Sequence, residues 1–144
     1  MSELIGRDKI QTMIPHSGDM CLLHEIRDWD LESLLAIADT PCAGNPLLCD
    51  GALPAESCIE YGAQAAALHA VLSGADLTAD KPAFLAAVKN LEIFSSAQVE
   101  NISILRVEVR IDAKSPMGAS YHFRCSVDDA LWVSGSLSLL RMQK

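Results

Sequence analysis

The sequence predicts an α+β fold in which an antiparallel sheet of about six strands wraps around one long central helix. Three observations carry this expectation. Residues 53–72, LPAESCIEYGAQAAALHAVL, are of helix length, have no proline beyond the first turn, and are followed by Ser73-Gly74. Residues 102–139 change to a two-residue period, in which apolar side chains alternate with charged or hydroxyl ones. The chain has 144 residues, half of them hydrophobic, which is enough for one core and short for two. Residues 1–144 are therefore expected to form a single domain.

Taken in order, residues 7–13 (RDKIQTM) suit a short leading helix closed by Pro15. Strands follow at about Met20–Trp29 and Leu31–Asp39, so close together that they must form a hairpin turning at Asp30. Thr40 to Ala52, with Pro41, Gly44, Asn45, Pro46 and Gly51, reads as a loop. The helix then runs from Leu53 to about Leu72, roughly 30 Å at 1.5 Å per residue. Its alanines, together with Leu, Ile, Val and Tyr, suggest burial on nearly all sides. PAFLAAVKNLEIF (82–94) is the next strand. In ISILRVEVRID, Leu105, Val107, Val109 and Ile111 share one face, and Arg106, Glu108, Arg110 and Asp112 the other. SYHFRCSV puts Tyr121, Phe123, Cys125 and Val127 inward, and LWVSGSLSL continues the alternation after a turn at Asp128-Asp129.

Composition narrows the function. A formal charge of −8 argues against gripping nucleic-acid phosphates, a task for clustered Lys and Arg. The five cysteines, Cys21, Cys42, Cys49, Cys58 and Cys125, form no CxxC pair. They read as reduced thiols in a cytoplasmic protein, with no disulfide framework, metal site or cofactor implied. MSELIGRDKIQ is charged where an export signal would be apolar. Glu56, Glu60, Gln64 and His69 interrupt the alanine-rich stretch, so no membrane span is expected there.

Glu60 and Gln64 stand one helical turn apart, about 40° round the axis, in otherwise apolar surroundings. A buried helix carboxyl is a candidate proton donor or acceptor, and an amide at i+4 can orient it. The structural alternative is a capping box, because Ser57-x-x-Glu60 fits that pattern. Glu56 reads as a helix-start charge favoured by the dipole. His69 reads as a satisfied core or interface residue, His24 and His122 as solvated strand residues, and Cys49 as a minor nucleophile candidate.

Three stretches carry a family resemblance: IPHSGDMCLLHEI, LPAESCIEYGAQAAA and PAFLAAVKNLEIF. Together they resemble the hotdog-fold β-hydroxyacyl-acyl-carrier-protein dehydratases. The closest resemblance is to the subgroup of aryl-polyene biosynthesis clusters, which shares the Pro-His start and the Asp-Gly-x-Leu-Pro run into the helix. The resemblance implies a hotdog fold and an acyl thioester on acyl carrier protein as substrate. It implies Glu60 and His16 as catalytic candidates, and Gln64, Ala55 and Pro54 as substrate-binding candidates, the Ala55 amide standing where a glycine amide would meet the thioester carbonyl. It also implies a homodimer or a hetero-oligomer with another hotdog protein.

One departure matters. Housekeeping dehydratases carry a catalytic histidine fourteen residues before the helix glutamate, and here that place is Pro46. Three functions follow from this: a dehydratase using Glu60 with a partner group such as His16, a non-catalytic subunit pairing with a histidine-bearing dehydratase, or an acyl thioesterase. Carrier proteins are acidic, so docking on this acidic chain would need a local basic patch, for which Lys81, Lys89, Arg106, Arg110 and Arg124 are candidates.

Overall fold

The computed structural model describes residues 4–13, 21–39, 55–74, 83–94, 104–127 and 130–141. A two-residue strand, β1 (Ile5–Gly6), leads into helix α1 (Arg7–Met13). Strands β2 (Glu25–Trp29) and β3 (Ser33–Asp39) form the expected hairpin. Its turn is organised by Asp30, whose Oδ1 accepts from the backbone N–H groups of Glu32 and Ser33, both at 2.8 Å. These two bonds stabilise the charged form and hold the Asp30 carboxyl below its ordinary range. β2 starts later than expected, and residues 21–24 are not strand.

A 3-10 turn, Ala55–Ser57, runs into helix α2 (Cys58–Leu72). The α-helix proper has 15 residues, about 22 Å, shorter than expected because its first turn is wound as 3-10. It closes where the Ser73 N–H reaches the His69 carbonyl and Gly74 adopts a φ of 103°, left-handed backbone that favours glycine. Then come β4 (Ala83–Ile93), β5 (Ile104–Ser115), β6 (Gly118–Val127) and β7 (Ala130–Arg141). The described residues form a 7-stranded sheet of order β1-β2-β3-β5-β6-β7-β4, one strand more than expected because of β1. Every pairing is antiparallel.

The register converts sequence alternation into two faces, since residues directly opposite on antiparallel strands point the same way. One inward row reads Leu34, Val109, Phe123, Gly135 across β3, β5, β6 and β7. The next reads Ala36, Val107, Cys125, Val133. These residues are buried, and α2 packs across the same strands. The sheet therefore curls around the helix, which is the hotdog architecture. The outward rows are mostly polar: Ser33, Arg110, His122, Ser136, Lys89, and beside them Leu35, Glu108, Arg124, Ser134, Glu92.

The helix is less enclosed than its composition suggests. Cys58, Tyr61, Gly62, Ala65, Ala66 and Leu68 face the core, but Ile59, Glu60, Ala63, Ala67, Ala70 and Val71 remain half-buried along one stripe. Among the described residues no helix is long and apolar enough to cross a membrane.

Candidate functional site

Glu60 sits in the first turn of α2 on the half-buried stripe. Ser57, at the helix N-cap, has helical φ and ψ of −60° and −24° and makes no side-chain cap hydrogen bond. The preceding 3-10 turn has drawn Ser57 inside the helical run, and capping requires an extended residue there. The Ser57 half of the capping box is thus not formed.

Gln64 is 1% exposed and is held at both ends of its amide. The Leu22 backbone N–H donates to its Oε1 at 3.0 Å, and its Nε2 donates to Glu60 Oε2 at 3.1 Å. Leu22 N–H can only donate, which directs Oε1 toward it and leaves the amino end for the carboxylate. The segment before β2 therefore orients Glu60 through Gln64. Sequence reasoning paired Glu60 with Gln64 but missed Leu22, because a backbone amide 42 positions away leaves no signature in residue type.

Ala55 opens the 3-10 turn and is 6% exposed. Pro54 and His16 lie outside the described residues, as do Pro46 and Cys49. Glu56 is exposed. Beneath the site, Cys58 and Cys125 are fully buried, and the Cys125 thiol points to the Cys58 carbonyl at 3.9 Å. Burial pushes Cys125 well above the ordinary thiol range, and burial also raises Cys21, so both remain neutral thiols and poor nucleophiles. Among the described residues no group of three or more His, Cys, Asp or Glu side chains gathers as metal ligands.

His69 takes the core role expected of it. Its Nδ1 lies 2.8 Å from the Tyr121 hydroxyl and its Nε2 2.9 Å from the Asp30 carbonyl oxygen. A carbonyl can only accept, so Nε2 carries the proton and Tyr121 donates to Nδ1. Burial lowers the His69 pKa and pushes Tyr121 up to about 12. His24 and His122 are exposed, the latter on the outward face of β6.

A family profile, ApeP-like and described as ApeP dehydratase, matches residues 8–144. No curated protein sequence matches. Among solved structures the chain is similar to the dehydratase heterocomplex ApeI:P from Xenorhabdus doucetiae, with TM-score 0.81, 20% identity, and coverage of 94% of this chain and 91% of that one. It is also similar to a mutant form of the thioesterase PA1618 from Pseudomonas aeruginosa, with TM-score 0.63, 12% identity and 94% coverage of both chains. A hypothetical thioesterase with coenzyme A from Streptococcus pneumoniae aligns with TM-score 0.62, 7% identity, and coverage of 83% of this chain and 85% of that one. At these identities the structural likenesses establish the fold alone.

Proposed function

The chain belongs to the ApeP-like dehydratase family, and from that premise we propose that it helps to dehydrate 3-hydroxyacyl thioesters on acyl carrier protein in polyene biosynthesis, working beside a histidine-bearing hotdog partner. The observation that carries this reading is Glu60, held by a fully buried Gln64 on a half-buried helix stripe. The reaction needs a base for the C2 proton, a donor for the carbonyl oxygen as enolate character develops, and an acid for the departing C3 hydroxyl, which leaves as water. Glu60 acts at the C3 oxygen with Gln64 orienting its carboxyl, and the Ala55 N–H, beside Pro54, meets the thioester carbonyl. The base is the partner's histidine or His16, since Pro46 occupies the usual histidine position.

Two features support a mixed assembly. β4 is the last strand of the sheet, and Leu85, Leu91 and Ile93 on it, with Phe94 just beyond, are exposed. An apolar edge strand is a pairing surface, and a second hotdog sheet could extend this one. The similar ApeI:P structure is a heterocomplex.

Dehydration followed by mass spectrometry tests the reading, with the protein alone, with a histidine-bearing hotdog partner, and with Glu60→Gln and His16→Ala in each. We expect slow or no turnover alone and restored turnover in the mixture. Glu60→Gln should then cost the mixture about 10²–10⁴-fold. Robust activity alone that vanishes in both variants would make the protein self-sufficient. Release of free acid in place of the enoyl thioester would mark a thioesterase.

A further inference from the structure

Gly62 is an exception in its own helix. Its neighbours on α2 include Ala63, Ala65, Ala66, Ala67 and Ala70, and alanine is the better helix former at an interior position. The reason for glycine lies across the core. A Cβ at Gly62 would stand 2.9 Å from Phe123 Cγ and 3.0 Å from Cδ2, closer than a real side chain tolerates. At the other end of the same ring, a Cβ at Gly135 would stand 3.1 Å from Cε1 and 3.2 Å from Cζ. Gly135 is the direct cross-strand partner of Phe123. That Cβ would also be 3.4 Å from Leu91 Cα, at an irregular stretch of β4 where Asn90 has a φ of 55°.

The fully buried Phe123 ring thus fills a slot with a glycine at each end, one on the helix and one on the sheet beside β4. Gly62 is two residues from Glu60 and two from Gln64. We propose that Phe123 is a positioning residue: the length of its ring between Gly62 and Gly135 sets the height of the Glu60–Gln64 turn over the sheet, and so the distance from Glu60 to the β4 edge. The proposal rests on reading Glu60 as reactive and β4 as the edge where the partner docks. In such a composite site the separation of acid and base spans two chains, and an error of about 1 Å can cost 10²-fold in rate.

A Cβ at residue 62 cannot be absorbed by swinging the ring, because the Gly135 backbone closes its far end. The helix must lift instead. Lifting stretches the bond from Leu22 N–H to Gln64 Oε1, so exchange of the Leu22 amide reports the height of the turn without any activity assay. Gly62→Ala should speed that exchange at least tenfold and lower kcat of the mixed assembly at least tenfold, with KM within twofold. Phe123→Leu should do the same by shortening the spacer at its Gly135 end. The double variant should recover both readouts to within threefold, since the shorter leucine no longer reaches Gly135 and has room to move away from the new methyl. Unchanged Leu22 exchange in Gly62→Ala, or a double variant no better than the worse single one, would overturn the proposal. Should Gly62→Ala not fold, unchanged exchange in Phe123→Leu refutes it alone. If the wild-type mixture shows no turnover, the dehydration reading falls, and the slot is decided by the exchange measurement.

Discussion

Gln64 and Glu60 differ in what their loss should do. Gln64 uses both ends of a buried amide, so Gln64→Ala leaves the Leu22 N–H without its acceptor and should cost about 1–3 kcal/mol of unfolding free energy in urea. Glu60→Gln keeps the shape on a half-buried stripe and should stay within about 1 kcal/mol of wild type. If the Glu60 variant instead loses several kcal/mol, the carboxylate supports the fold and the catalytic assignment fails. His69 gives a pH test. Its folded pKa lies below the ordinary value of 6.5, so its contribution is complete above that pH and is lost as pH falls from 6.5 through the folded value. Urea midpoints should drop as pH falls below the ordinary histidine value of 6.5 for wild type and drop less for His69→Gln. Tyr121 works in the opposite sense. Its stabilisation is complete below its ordinary pKa of 10 and is lost as pH rises toward about 12.

Among the elements, β4 is the one whose position has consequences. It follows the helix in sequence yet pairs with β7 at the end of the sheet, leaving its other side open in the described structure. Its pairing carries two irregularities, between Leu85 and Ala87 and between Lys89 and Glu92. Bulges of this kind restrict which strands can add to an edge. Ile93 is 42% exposed, so Ile93→Lys should change monomer stability by no more than about 0.5 kcal/mol while weakening association. Sedimentation velocity on the mixture would show the complex peak receding. A complex formed with unchanged affinity would move the interface away from β4.

For the whole molecule, the open sheet edge and the half-buried helix stripe argue for a two-chain assembly. Light scattering at micromolar concentration should give twice the 15.5 kDa monomer mass alone, or the summed mass of the two chains with the partner. A monomer mass in every mixture would end that expectation. The register also resolves the basic-patch question. Arg106, Arg110 and Arg124 do share the outward face, but Glu108 stands opposite Arg124, and Arg110 pairs with Glu32 at 3.4 Å. The face is a lattice of both signs, and exposed pairs of this kind contribute little to stability. Lys81 lies outside the described residues.

Local pattern was enough for much of this protein. Alternation in ISILRVEVRID and SYHFRCSV set the inward faces of β5 and β6, Asp30 marked its hairpin, and the Glu60/Gln64 spacing placed the two side chains within reach of each other. Each of these follows from the period of the backbone, which a short window of residues displays. The tertiary structure decided what depends on distant partners: β4 at the sheet edge, Leu22 behind Gln64, Asp30 and Tyr121 on His69, and Phe123 between two glycines. Those contacts join residues far apart in the chain, and their pairing is chosen by the packing of the whole core, so no local period encodes it.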